Sequence, residues 1–271
     1  MSVVWFNGKF VDGAIPLDSR DRGFLLGDGL FETIAVHERK PIWLNAHLAR
    51  MASAAVELGI IFDVEIIRAG VAAVLENSHA GFEALRITLS RGSTARGLGS
   101  TCISPNLLVT LDEFNTNGLP QALNLKVSTI RRNETSPSSR LKTLSYIDGI
   151  AAAREVSGSA DDALMLNTSG HVASATVANI FMVCGNELIT PALDQGILPG
   201  ITRRALLDIA HKVSLAPVER IVGLEEILGA DAVFACNSLR FVRPVAKLND
   251  KPLGARPVDD LMKGLRNEIF C

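Results

Sequence analysis

The chain has 271 residues, 48% of them apolar, and a formal net charge of -2. That is enough apolar material for two compact domains. It carries no basic excess of the kind that selects nucleic acid or an anionic membrane. Cys102, Cys184, Cys236 and Cys271 form no C-x-x-C pair, so no metal site is expected, and their usage suits a reducing cytoplasm. The opening MSVVWFNGKF is not a signal peptide, and no apolar run reaches the roughly 18 residues of a membrane helix. The expectation is a soluble cytoplasmic protein.

The first predicted element is a hairpin, Val3 to Phe6 and Lys9 to Val11, turned by Asn7-Gly8. A glycine-rich stretch, Arg22 to Gly29, runs into a strand from Leu30 to Val36. Asn45 is expected to cap a helix with apolar positions Leu48, Met51, Ala52, Ala55 and Leu58, which Gly59 ends. A helix over Glu65 to Leu75 and strands over Ala84 to Ser90 and Asn106 to Leu111 complete a first α+β domain, 1–113. Residues 114–120, with Asn117-Gly118 and Pro120, read as the interdomain linker. The second α+β domain, 121–271, is predicted to carry a strand near Leu123 to Ile130 and a helix near Ser145 to Ser157. Strands follow at Ala163 to Leu166, His171 to Ala175 and Asn179 to Cys184. A helix then starts after Gly200, and a strand runs from Ala232 to Cys236. Elements mix without strict βαβ alternation, which points to α+β architecture.

Chemistry collects in four places. Lys142, between Leu141 and Thr143-Leu144 and just ahead of a helix, has the setting of a buried lysine that loses its charge and forms a Schiff base. Taken alone it reads more readily as a surface lysine, because buried lysines are rare. Leu198-Pro199-Gly200-Ile201-Thr202 opens a helix, and its amides with the Thr202 hydroxyl make an anion site; the plainer reading is a Pro-Gly turn. His47 and Arg50, three apart, share a helix face that either binds phosphate or is simply solvated. Ser90-Arg91-Gly92-Ser93-Thr94-Ala95-Arg96 either receives a carboxylate or is a plain surface loop.

Together these segments resemble the class IV aminotransferases, the family of branched-chain and D-amino-acid aminotransferases and aminodeoxychorismate lyase. The order of motifs carries the resemblance: Gly27-Asp28-Gly29-Leu30-Phe31-Glu32, His47-Leu48-x-Arg50, Ser90-Arg91-Gly92, Lys142, Gly170 through Asn179-Ile180-Phe181, and Gly200-Ile201-Thr202-Arg203. It implies a two-domain, D-amino-acid-aminotransferase-like α+β fold with pyridoxal 5′-phosphate as cofactor. It also implies a homodimer acting on small amino and 2-oxo acids. Lys142, in the C-terminal domain, would be the Schiff-base lysine and the base that moves the α-proton. Arg50, Gly200, Ile201, Thr202 and Ser238 would hold the phosphate, and Tyr146 would approach the cofactor ring. Arg96 would receive the substrate carboxylate, with Phe31 and Thr33 lining the substrate side.

One position departs from the family pattern. Where the family has a glutamate beside the pyridine nitrogen, this chain has Ser174, a hydroxyl that cannot stabilise a positive ring. The pattern as a whole implies an aminotransferase. The alternative is aminodeoxychorismate lyase, which releases pyruvate and 4-aminobenzoate; Cys236-Asn237-Ser238-Leu239 and the Arg91 to Gly97 loop resemble lyase segments. A third reading, a pyridoxal-phosphate-binding protein with little activity, is opposed by the intact lysine, phosphate elements and Arg96.

Overall fold

The computed structural model describes residues 3–79, 81–99, 104–115, 122–256 and 258–270. Contacts divide the chain into two units, Met1–Asn117 with Leu141–Tyr146, and Gly118–Arg140 with Ile147–Cys271. Most of the expected linker, 116–120, lies outside the described residues.

The first unit is a six-stranded sheet. Its strands are β1 (Val3–Phe6), β2 (Lys9–Phe10), β3 (Gly29–His37), β4 (Lys40–Pro41), β5 (Phe82–Ser90) and β6 (Asn106–Glu113). They lie in the order β2-β1-β6-β5-β3-β4. The expected Asn7-Gly8 turn forms, with φ of 45° and 96°. Strand alternation then sorts the residues of β3 and β5. Leu30, Ile34, Val36, Leu85, Ile87 and Leu89 face helices α2 (Leu44–Leu58) and α3 (Val64–Leu75), and pack on Leu48, Met51, Ile67 and Val71. Phe31, Thr33 and Arg86 alternate to the opposite face.

Gly59 ends α2 in the left-handed conformation, as its position suggests. Asn45 is not the cap. The helix starts two residues earlier than that cap implies, after Trp43 at φ 53°, and no side chain caps it. The Asn45 amide oxygen instead accepts from Arg68 of α3 at 2.8 Å, so the side chain joins the two helices. The glycine-rich stretch contains a short helix, α1 (Arg22–Leu26), capped by Asp21. Its Phe24, Leu25 and Leu26 are 72%, 57% and 53% exposed, so they are not core of this unit, whereas Phe31 is buried.

The strip Leu141–Tyr146 belongs to this first unit, whereas the sequence alone assigns it to the C-terminal domain. The reason is backbone pairing to β3. The Phe31 amide donates to the Lys142 carbonyl and the Leu144 amide to the Gly29 carbonyl, both at 2.9 Å. Gly29 permits this approach. A Cβ there would stand 2.7 Å from Leu144 Cδ1 and 2.6 Å from the Leu89 carbonyl oxygen.

The second unit contains strands β7 (Leu123–Val127), β8 (Asp162–Leu166), β9 (Val172–Ala175), β10 (Asn179–Cys184), β11 (Glu187–Pro191), β12 (Ala216–Arg220), β13 (Ala232–Asn237) and β14 (Phe241–Leu248). Pairing runs β10-β13-β14-β7-β8-β9 and returns to β10 through Asn179 and Ser174, closing a ring. Leu125, Leu164, Val172, Ile180, Met182, Val233 and Val245 fill its apolar cluster. The expected strand to Ile130 stops at Val127, and the expected helix from Ser145 starts at Ile147, because 141–146 are drawn onto β3. A helix, Ile201–Ile209, begins after Gly200 as predicted. Among the described residues no helix is long and apolar enough to cross a membrane, and no cluster of side chains suits a metal ion.

Candidate active site

In the first unit the lysine is placed by the strand it lies against. Lys142 Nζ stands 4.1 Å from the Phe31 ring centroid and 5.7 Å from that of Tyr146. The two rings meet edge to face at 5.2 Å. Lys142 is half-buried, not sealed in core. Thr33 follows on the same face of β3, opposite Arg86 of β5.

The other side of β3 carries a charge into the core. Glu32 sits among inward-facing apolar residues and is 1% exposed. It accepts from Arg50 Nε at 2.9 Å and from a second Arg50 nitrogen at 2.6 Å, and lies 2.7 Å from His47 Nδ1. The fork on Glu32 uses two of the five N–H donors of the guanidinium. Burial alone would raise the Glu32 pKa, but the Arg50 charge and the hydrogen bonds from His47 and Arg50 outweigh it and bring it down to about 2. Burial lowers the His47 pKa, against the pull of Glu32, so the imidazole is neutral at pH 7 and donates from Nδ1. Its buried Nε2 has no partner. His47 and Arg50 do share a face, as the sequence spacing implies. What they share is Glu32, which motif reading passed over. The signal was available, because a carboxylate at an inward position of an alternating strand needs a buried partner.

A half-buried carboxylate, Asp28, shapes the Arg96 loop. Asp28 Oδ2 takes Arg22 Nε at 2.7 Å and Arg91 Nε at 2.8 Å. Burial works against the Asp28 charge, but the two arginines prevail and lower its pKa. So oriented, Arg22 donates to the carbonyls of Gly97 at 2.9 Å and Leu98 at 3.2 Å, while its own amide donates to Gly92. Both ends of the loop are thereby tied, and Arg96 between them is exposed. Arg22 and Asp28 lie six residues apart, but the partners that tie them to the loop, Arg91 and the Gly97 carbonyl, lie 63 and 75 residues away and are invisible to spacing arguments.

In the second unit the chemistry is of backbone and small side chains. Gly200 opens the helix Ile201–Ile209, whose first amides lack intrahelical partners. A Cβ on Gly200 would meet Asn179 Oδ1 at 2.1 Å. Asn179 in turn donates to the Leu198 carbonyl at 3.0 Å, fixing the entry to the helix. The Thr202 hydroxyl is buried and has no partner. Ser238 lies on the turn after β13, where Asn237 Oδ1 accepts the amides of Leu239 and Arg240. Ser174 is buried on β9 and its hydroxyl donates to the Ala175 carbonyl at 2.8 Å. That oxygen offers lone pairs and no negative charge.

The first unit therefore brings Phe31, Thr33, Lys142 and Tyr146 together, with Glu32 holding Arg50 behind them. The second unit supplies Gly200, Ile201 and Thr202 as one element, with Ser238 and Ser174 on separate strand ends. The model of the amino-transferase class IV family matches residues 29–248. The chain is 30% identical over 261 residues to an aminodeoxychorismate lyase of Bacillus subtilis, covering 94% of this chain and 89% of that protein. It is 25% identical to a putative branched-chain-amino-acid aminotransferase of Methanocaldococcus jannaschii, covering 98% and 94%. A putative 4-amino-4-deoxychorismate lyase of Legionella pneumophila shares the fold with a TM-score of 0.87 at 31% identity, covering 94% and 96%.

Proposed function

Given that the chain belongs to the amino-transferase class IV family, we propose that it is a pyridoxal-phosphate-dependent aminotransferase moving an amino group between an amino acid and a 2-oxo acid. The observation that carries this reading is Lys142 Nζ held over Phe31 beside Tyr146, on a strand whose opposite side pins Arg50. The family works with pyridoxal 5′-phosphate, and the residues present fit that group. Thr202 has a buried hydroxyl without a partner, Gly200 has no room for a Cβ, and Arg50 is held in a fixed orientation.

When bound, the cofactor supplies the electron sink that makes the substrate α-proton removable. Lys142 Nζ would hold the cofactor, and its amine would serve as the base that takes up and returns that proton. Arg50, the Ile201 and Thr202 amides and the Thr202 and Ser238 hydroxyls are assigned to the phosphate. Glu32 acts through Arg50, keeping its fork from turning. Tyr146, beside Lys142, would flank the cofactor ring. Arg96 receives the substrate carboxylate on its tied loop, and Phe31 and Thr33 line the substrate side. Ser174 would offer the cofactor's ring nitrogen a hydroxyl where a charge is customary, which would make the group a weaker electron sink.

The second reading is aminodeoxychorismate lyase, favoured by the lyase relatives at 30% and 31% identity over nearly the whole chain. A half-reaction spectrum separates the two. Cofactor-loaded protein is mixed with single L- and D-amino acids without acceptor. Conversion to the pyridoxamine form supports the aminotransferase and names its donor. No conversion with any donor, together with pyruvate release from aminodeoxychorismate, makes the protein a lyase. Silence in both assays returns it to a cofactor-binding protein with little activity. We also place the protein in the cytoplasm as a homodimer. The exposed Phe24, Leu25 and Leu26 support the dimer, and sedimentation of a cofactor-loaded monomer would count against it.

A further inference from the structure

Both ends of the Arg96 loop close on one residue. The ends are glycines at positive φ, Gly92 at 87° and Gly97 at 119°, bends that glycine permits. The Gly92 carbonyl accepts the Arg22 amide at 3.0 Å, and the Gly97 carbonyl accepts Arg22 Nη1 at 2.9 Å. Arg22 Nη2 donates to the Leu98 carbonyl at 3.2 Å, and Nε donates to Asp28 at 2.7 Å. Each of the three guanidinium nitrogens has its own acceptor, which fixes the plane of the fork. Arg22 is itself buried.

Asp28 joins this loop to the lysine. Its side chain also accepts from Arg91 Nε at 2.8 Å, and its carbonyl accepts the Arg91 amide at 3.1 Å. The other nitrogens of Arg91 donate to the carbonyls of Leu58 and Gly59, at the end of the helix that carries Arg50. The glycines beside Asp28 hold the Lys142 strip. The Gly29 carbonyl accepts the Leu144 amide at 2.9 Å, and a Cβ on Gly27 would stand 3.3 Å from the Ser145 backbone. Residues 27–29 thus fix the lysine strip through their backbone and the Arg96 loop through the Asp28 side chain. A recognition group works only when its own geometry is locked by its supports. We propose that Arg22 and Asp28 are positioning residues that act through Arg96, setting where the substrate carboxylate lands relative to Lys142 Nζ. The inference rests on the reading of Lys142 and Arg96 given above, and it fits either reaction.

The test is a spectral titration of cofactor-loaded protein, following the cofactor absorption band. The probes are L-alanine, D-alanine and ethylamine, which is alanine without its carboxylate, with affinities referred to the unprotonated amine. Wild type binds the better alanine enantiomer roughly tenfold to a hundredfold more tightly than ethylamine, the worth of a charge-assisted carboxylate contact. Arg22→Gln lowers that ratio by roughly tenfold, and Asp28→Asn lowers it in the same direction. Ethylamine affinity stays within about twofold, and the borohydride-trapped adduct on Lys142 persists. In an Arg96→Gln background, which has lost the preference, Arg22→Gln lowers the ratio no further, because coupled residues do not add. An unchanged ratio in Arg22→Gln overturns the Arg22 and Asp28 assignment alone. So does a further fall in the Arg96→Gln background, or a parallel loss of ethylamine affinity and trapped adduct, which a loosened fold would give. No trapped adduct in wild type, no alanine preference in wild type, or a preference that survives Arg96→Gln is a failure of the underlying reading, and the inference falls with it. Should Arg22→Gln not fold, Arg22→Lys decides, since it keeps the charge but offers one nitrogen to three acceptors: a reduced ratio supports the assignment and a wild-type ratio overturns it.

Discussion

The two units hold their candidate anion-binding groups in opposite ways. In the first, positive charge comes from long side chains disciplined by a buried or half-buried carboxylate: Arg50 on Glu32, and Arg22 with Arg91 on Asp28. In the second it comes from backbone amides at a helix start, with a glycine and a threonine hydroxyl. Side-chain charge is strong but has to be held, because a long side chain loses much rotamer freedom when fixed. Backbone amides are already fixed by the helix and do not titrate. The first unit should therefore be sensitive to pH and to charge removal, and the second to added bulk.

The largest effect tests the lysine itself. Lys142→Ala should abolish the borohydride-trapped cofactor adduct, read by mass spectrometry, and reduce turnover by about a thousandfold or more. An adduct that persists would mean that another lysine is the carrier.

Next comes the carboxylate behind it. Glu32→Gln should cost roughly 3–5 kcal/mol in urea denaturation, since it leaves Arg50 buried beside a neutral group. The pH dependence has a definite sign. Glu32 is depressed from 4.5 to about 2, so its stabilisation is complete above pH 4.5 and is lost as pH falls toward 2. His47, lowered from 6.5 by burial, adds a loss that begins as pH falls through 6.5, because the unfolded chain takes up that proton first. Wild type should weaken steadily on acidification, and Glu32→Gln should flatten the lower part of that curve. A variant with wild-type stability and an unchanged acid limb would show that the buried carboxylate contributes nothing net.

Third is the bulk test in the second unit. Gly200→Ala puts a methyl against Asn179 Oδ1 and displaces the start of the helix. Cofactor affinity, followed by fluorescence titration, should fall by roughly tenfold, about 1.4 kcal/mol. It should fall equally at pH 6 and pH 8, since no titrating group is involved. Undiminished affinity would remove the helix start from the site.

The smallest effect is a gain. Ser174→Glu should raise aminotransferase turnover by up to roughly tenfold if the absent carboxylate limits proton removal. It should also destabilise the cofactor-free protein, because the new charge is buried without a partner. Turnover at or below wild type would detach Ser174 from the rate.

Much of this was legible in the chain because it is local. Short apolar runs gave the strands β3, β5 and β6. Glycines marked the C-terminal end of α2 and the start of the Gly200 helix, and Asn7-Gly8 gave the first turn. The order of motifs gave the family, Lys142 and the candidate phosphate residues. Misreadings arose where a distant partner overrode a local preference. Asn45 is a good cap by type but is taken by Arg68, 23 residues on. Lys142 lies within the C-terminal half of the sequence, yet pairs with a strand more than 100 residues earlier.

What the sequence determined by itself was periodicity, turn chemistry and the residue types in their order, all set by neighbours a few positions apart. Only the tertiary structure decided which charges meet: Glu32 with His47 and Arg50, Asp28 with Arg22 and Arg91, and Arg86 with the ring that holds Lys142. These partners are brought together by strand register and helix packing. A charge in a folded interior is governed by what lies within a few ångströms of it, whatever the separation along the chain.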